Sequence, residues 1–207
     1  MDDAREIDGV VMQSSAFYNG QLLIAMPGIG DPRFEQAVIY MCAHSDEGAM
    51  GLVINRTAPD ISLVGLLEKL DVIGPGKEHI RLPPGLGARP VMIGGPVEPG
   101  RGFVLHSADY YQADGTLPVD ESVGLTATLD ILQAMVRGEG PRHFLLALGY
   151  AGWGPGQLED EIAHNAWLTS AADERLLFMT EPQKRYGRAL RAIGIDPAQL
   201  SSDAGHA

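Results

Sequence analysis

A thiol and an imidazole stand two residues apart at Cys42 and His44, the best-placed pair in this chain for chemistry. In an extended run side chains alternate, so Tyr40, Cys42 and His44 share one face while Ile39, Met41 and Ala43 share the other. Same-face strand neighbours lie about 6.5 to 7 Å apart at Cα, within reach of a side-chain approach. An imidazole beside a thiol can lower its pKa, which would make Cys42 a nucleophile or redox sensor with His44 as its base or charge partner. The same residues also fit a plainer role, since one cysteine following Val38-Ile-Tyr-Met reads as a small buried hydrophobe. Both readings stand on the sequence.

Eight further polar residues fall at the ends of apolar runs, where loops usually carry sites: Asp31, Arg33, Asn55, Arg56, Glu98, Arg101, His106 and Asn165. They are expected to line one ligand-binding groove. Lys184, Arg188 and Arg191 share a helical face in an acidic chain, either a docking face for an acidic partner or a solvated face paired with the protein's own acids. The glycine-rich run from Gly149 to Gly156 precedes a helix, the setting of a phosphate cradle. It lacks the Gly-Lys-Ser/Thr ending and the dinucleotide spacing, and Glu159, Asp160 and Glu161 already complement the helix dipole. Those three acids read as an ordinary exposed helix start, and Tyr150, Trp153 and Trp167 as packing aromatics. No Cys-x-x-Cys, His-Glu-x-x-His or Gly-x-Ser-x-Gly pattern occurs, so neither a metal, a cofactor nor a serine nucleophile is expected.

The elements that must position these residues follow from periodicity. Strands are predicted over Leu22 to Ala25, Ala37 to Ala43 and Ala49 to Asn55, the last two joined as a hairpin through Asp46, Glu47 and Gly48. Further strands are expected at Val91 to Ile93, Gly102 to His106, Val123 to Ala127, Phe144 to Leu148 and Asn165 to Leu168. The Gly-Gly-Pro-Val-Glu-Pro-Gly-Arg link before Gly102 reads as irregular, and Ala108 to Val119 as turns. Helices are predicted over Ile61 to Leu70, with Asp60 or Ser62 as N-cap, over Thr128 to Arg137 with Gly138 as stop, over Gln157 to His164, and from Glu181-Pro182 to Ile193.

A chain of 207 residues with 45% apolar content suits one domain with a sizeable core. The predicted layout is a flexible acidic leader over 1–13, a domain over 14–195 and a polar tail over 196–207. Lysine and arginine number 15 against 27 acids, a net charge of −12 that repels polyanions and disfavours direct nucleic-acid binding. A single cysteine precludes an internal disulfide, Met1 to Asp8 is acidic rather than leader-like, and no apolar run nears the roughly 20 residues of a membrane span. The cytoplasm is the expected compartment.

Five blocks also carry a resemblance: Met26-Pro-Gly-Ile-Gly-Asp-Pro-Arg-Phe34; Cys42-x-His44 with Gly48-Ala-Met-Gly-Leu-Val-Ile-Asn55; Gly94-Gly-Pro-Val97; Arg101-Gly-Phe-Val-Leu-His106; and Leu148-Gly-Tyr-Ala-Gly-Trp153 with Gly156-Gln-Leu-Glu159 and Asn165-Ala-Trp-Leu168. In order and spacing they resemble the AlgH/YqgE family of bacterial proteins. The resemblance implies a single α+β domain with a largely antiparallel, bifurcated sheet curled into a pseudo-barrel and flanked by helices. It also implies a regulatory or accessory binding role through a protein or small-molecule partner, under a family label of transcriptional regulator with no settled activity. A thiol sensor or enzyme built on Cys42 and His44 is the rival. The chain departs from the family pattern at Ala43, where glutamate is common, so no role needing a carboxylate there carries over.

Overall fold

In the computed structural model, which describes residues 17–76 and 81–200, the β-branched and aromatic runs pair as strands. β1 (Gln21–Ala25), β2 (Val38–Ser45) and β3 (Gly48–Val53) are antiparallel neighbours, with a two-residue turn at Asp46 and Glu47 closing the β2–β3 hairpin. β4 (Thr57–Ser62) leads into α1 (Leu63–Lys69), whose N-cap Ser62 accepts from the Gly65 amide at 3.0 Å. Then follow β5 (Pro90–Ile93), β6 (Val97–Ser107), β7 (Thr116–Pro118), β8 (Val123–Thr126) and α2 (Leu129–Arg137), which Gly138 ends in left-handed backbone at φ 77°. β9 (Phe144–Trp153), α3 (Gln157–Ala163), β10 (Trp167–Ala171), a π-helical turn (Arg175–Met179) and α4 (Pro182–Ala192) complete the order.

The main sheet runs β10-β1-β2-β3-β9-β6-β8-β7, and β5 with β4 branches from β9. β9 creates the fork. Its first half pairs with β5 in parallel and β6 antiparallel, while beyond Gly149 its second half, Ala151 to Trp153, pairs with β3. The antiparallel sheet curls into a half-barrel with helices around it, an α+β fold, as the resemblance implied.

Both faces of β1–β3 are buried, which is why these strands read as continuous apolar runs. Leu22, Ile24, Val38, Tyr40, Cys42 and Leu52 point into a core closed by Ala189 and Leu190 of α4 and by Leu176 to Phe178 of the π turn. Leu23, Ala25, Ile39, Met41 and Val53 point the other way, against Trp153, Trp167 and Leu158 of α3. α1 and α2 cover a third cluster around Val91, Val104 and Leu146. Each such fully buried Leu or Ile contributes about 1.5–3 kcal/mol.

Several expectations need correction. The first helix starts at Leu63 rather than Ile61, because Thr57–Ser62 is an edge strand. Its proline and lack of alternation hide it from the sequence, and a proline is tolerated there because the edge leaves a donor unneeded. The link read as irregular supplies the first half of β6, with the register broken between Val97 and Gly102. The stretch from Gly149, read as loop, continues β9 to Trp153. β7 falls within the segment read as turns, and β10 begins at Trp167, since Asn165 is held in left-handed backbone at φ 58°. The leader expected over 1–13 lies outside the described residues, as does the tail from 201 onward. The tail's start is built in: Pro197–Gln199 form a 3-10 turn and Leu200 packs against the first core.

Candidate functional site

The Cys42–His44 pair is broken by one extra residue. Met41 pairs with Gly51 but Ala43 with Met50, so β2 carries a β-bulge at Cys42. A bulge places two residues opposite one and resets the alternation beyond it. Cys42 therefore packs in the α4-side core with Tyr40 and Leu52. His44 instead sits opposite Ala49, which packs on the α3 side. The shared face predicted from alternation is thus corrected. The His44 ring is fully committed: Nδ1 accepts from the Tyr18 amide at 3.1 Å, which puts the ring proton on Nε2, and Nε2 donates to Glu159 Oε1 at 2.8 Å. Tyr18 stacks on it at 5.4 Å and Phe17 meets it edge-on.

The thiol moves opposite to an activated one. Cys42 is 2% exposed, its Sγ donates weakly to the Tyr40 carbonyl at 3.6 Å, and burial pushes its pKa up to about 12. Against a free thiol near 8.5, that leaves a thiolate fraction roughly a thousandfold smaller at neutral pH. Iodoacetamide is accordingly expected to label native Cys42 at least about a hundredfold more slowly than a free model thiol. The rate should rise to the model value only in denaturant, as followed by mass spectrometry.

Above this buried pair lies an open cleft of about 500 Å³, between the β2–β3 hairpin, β6 and β7. Phe103 and Tyr150 are among its lining residues, their rings edge-to-face at 5.8 Å. Arg101 lies over Phe103, with its Cζ 5.2 Å from the ring centroid, and pairs with Glu98 at 3.0 Å. His44, Glu47, Met50 and Leu117 also line the cleft. The arrangement offers apolar surface, one guanidinium and no free ring base.

The eight polar residues do not line one groove. Asp31, Arg33, Asn55 and Arg56 come together, but to hold a loop. Asp31 caps the Pro32–Phe34 turn and pairs with Arg33 at 2.7 Å, and hydrogen bonds from Arg33 hold its carboxyl below the usual range. Asn55 accepts from the Val38 amide and donates to the Gln36 carbonyl, both at 2.8 Å, while Arg56 donates to the Arg33 and Glu35 carbonyls. Glu98 and Arg101 belong to β6, and only Arg101 of the eight lines the cleft. Asn165 follows α3, next to Ala166, whose carbonyl accepts from Met26.

His106 has no exposed surface, so it lines nothing. Its ring bonds Thr126 Oγ1 at 2.9 Å and the Ser107 carbonyl at 3.0 Å. Burial drives its pKa below 6.5. The unfolded chain then takes up this proton first on acidification, so the contribution is complete above about pH 6.5 and is lost as pH falls through the folded value. Urea unfolding between pH 7 and 5 should show His106→Gln flattening the acid-side slope by up to about 1.4 kcal/mol per pH unit.

The basic face is partly consumed internally. Lys184 pairs with Glu181 at 2.8 Å and Arg188 donates to Thr180 Oγ1 at 3.1 Å, whereas the side chain of Arg191 reaches back over Gly187. Two residues with larger roles were missed. Arg185, which adjoins Lys184 in sequence and was not singled out for the docking face, is 5% exposed inside the core. Glu161, read as an ordinary helix-start acid, accepts from the indoles of both Trp153 and Trp167. The available signals were spacings: Arg185 precedes Tyr186 and Ala189 on the apolar side of α4, and Glu161 lies three residues beyond the buried Leu158. Among the described residues no three His, Cys, Asp or Glu side chains gather as metal ligands, and no helix is long and apolar enough to cross a membrane.

Residues 22–198 match a family model described as AlgH-like. A UPF0301 protein of Bradyrhizobium diazoefficiens is 56% identical over 194 residues, covering 94% of this chain and 90% of that protein. One from Beijerinckia indica is 57% identical, covering 94% of each. Among solved structures, the solution structure of AlgH from Pseudomonas aeruginosa superposes with TM-score 0.72 at 40% identity, covering 94% of this chain and 98% of that one. The crystal structure of DIP2367 from Corynebacterium diphtheriae, at 18% identity, TM-score 0.63 and coverage of 88% and 89%, shares the fold. By sequence blocks, family model and structural likeness alike, the chain belongs to the AlgH-like, UPF0301 family.

Proposed function

We propose that the protein is a cytoplasmic regulatory or accessory binding protein that holds a protein or small-molecule partner in the cleft beside the β2–β3 hairpin. The observation carrying this reading is that cleft: about 500 Å³ of open space with Phe103, Tyr150 and the Arg101 guanidinium among its lining residues, beside a histidine whose two ring nitrogens are already engaged. Such a surface binds an apolar group bearing a negative charge, and the thiol in its lining, Cys42, is 2% exposed and held neutral by burial, so it does not attack the guest. The net charge of −12 argues that any effect on transcription passes through the partner rather than through DNA. The thiol-sensor reading loses its support with Cys42 buried.

The test is photo-crosslinking in cells from a photoreactive residue placed at Leu117. A discrete adduct, absent from a control at the exposed Ile61 and lost with Arg101→Ala, is the expected result. Identical labelling from both positions, or an adduct indifferent to Arg101, would remove the cleft as the site. Cys42→Ser should leave the adduct and any peroxide response unchanged, and no retardation of duplex DNA is expected at moderate salt.

A further inference from the structure

Arg185 is a buried cation with no counter-ion among the described residues. It stands near the start of α4, its Nε donating to the Thr180 carbonyl at 3.0 Å and its Nη1 to the Ile54 carbonyl. No carboxylate pairs with it among the described residues, and since no fully buried side-chain nitrogen there lacks a partner, its Nη2, outside those two hydrogen bonds, reaches open space. Burial alone pushes its pKa down to about 10, so it remains charged at neutral pH. Two carbonyls offset only part of the several kcal/mol that an isolated interior charge costs. Arg185 also borders a pocket of about 190 Å³, separate from the cleft and sharing no residue with it. The other walls are mainly apolar, including Met92, Phe144, Leu146 and Phe178. A second guanidinium, Arg89, joins them, with its Cζ 5.3 Å over the Phe144 ring. Glu181 borders the same space, but its carboxylate is exposed and tied to Lys184.

We infer that this pocket is a second ligand site, taking a small organic monocarboxylate whose charged end meets Arg185 and Arg89 and whose apolar body fills the space between Phe144 and Phe178. The size agrees, since a cavity of about 150 Å³ admits benzene. The chemistry agrees as well. A guanidinium with donors to spare matches a carboxylate, a neutral guest leaves the buried charge uncompensated, and inorganic phosphate leaves the apolar walls unfilled.

The experiment titrates the full-length protein with sodium benzoate, benzamide and inorganic phosphate at fixed ionic strength, reading backbone amide shifts. Benzoate should saturate, with shifts centred on residues 89–92, 144–146 and 178–185, at concentrations at least about tenfold below benzamide or phosphate, the ratio expected from one charge-assisted hydrogen bond. Arg89→Ala should weaken benzoate about tenfold on the same ground, and Arg185→Met should abolish the shifts. Where Arg185→Met fails to fold, the ligand series and Arg89→Ala decide. Equal response to benzamide, tighter binding of phosphate, shifts mapping elsewhere, or indifference to Arg89→Ala would each overturn the proposal.

Discussion

Replacing Gly95 with alanine is expected to destabilise the protein by more than about 4 kcal/mol, the range reached when overpacking has no room to relax. A Cβ at Gly95 would lie 2.1 Å from the Tyr150 carbonyl carbon, 2.2 Å from its oxygen and 2.4 Å from the Ala151 nitrogen. Every one of those atoms is backbone in β9, so no side chain can swing aside. The neighbouring glycines meet the same limit: a Cβ at Gly94 would sit 2.2 Å from the Gly149 carbonyl oxygen, and one at Gly149 would sit 2.4 Å from the Gly95 oxygen. The link from β5 to β6 thus crosses β9 main chain against main chain, held by Gly94 donating to the Leu148 carbonyl at 2.7 Å and accepting from Val53 at 2.8 Å. This crossing is where β9 passes from the β5–β6 branch to β3, so pushing it apart disconnects the two arms of the sheet. Thermal unfolding should show a midpoint lowered by about 10 °C or more, or no cooperative transition. Gly100→Ala, in the same segment, meets nothing within 4 Å and should stay within about 0.5 kcal/mol of the parent. Equal effects from the two alanines would mean that chain entropy, and not contact, sets the requirement for glycine.

This crossing marks the limit of what the sequence makes legible. Gly94, Gly95 and Gly149 are visible as turn-forming residues, and a turn is what local chemistry predicts of them. Here they serve close approach between segments more than fifty residues apart, which no local pattern encodes. The apolar runs of β1, β2 and β3 were readable because burial of both faces needs continuous hydrophobicity, and α2 and α4 because one-sided burial leaves a period near 3.6. Alternation then misplaced His44, since a bulge at Cys42 adds one residue without altering the composition of the run. The polar residues suffered a related loss. Asn55 and Arg56 resemble site residues by type, yet their hydrogen-bonding capacity is taken up by backbone groups of 33–38. Arg101 resembles them equally and faces a cleft. Residue type is identical in the two cases, and the difference lies in which backbone groups are left unpaired nearby.

Glu161→Ala is expected to cost about 3–5 kcal/mol, for a residue that sequence alone assigns to an exposed helix start. Its Oε2 accepts from Trp153 Nε1 at 2.9 Å and from Trp167 Nε1 at 2.7 Å, and Oε1 accepts from Gln157 at 2.9 Å. Both indoles are buried, 7% and 3% exposed, and their rings meet edge-to-face at 5.9 Å. Alanine leaves two buried N–H groups without an acceptor, and the loss is larger because both bonds end on a charged carboxylate. These are the chain's two tryptophans, so intrinsic fluorescence during urea unfolding reports directly on the environment that changes. Glu161→Gln keeps a carbonyl oxygen for the indoles and gives up the charge and the exposed bond from Gln157, so it should lose less than half as much. If alanine and glutamine cost the same, charge rather than donor satisfaction dominates; if both cost under about 1 kcal/mol, the indoles find water and the clamp is incidental. The consequence reaches the cleft. Glu161 pins α3 to β9 and β10, and the same helix presents Glu159 to His44 at 2.8 Å. Loosening α3 in Glu161→Ala should therefore free the His44 ring even at temperatures where the fold survives, visible as a change in its imidazole NMR signals. Glu159→Ala, which removes that bond alone, should change the same signals while leaving tryptophan fluorescence as it was.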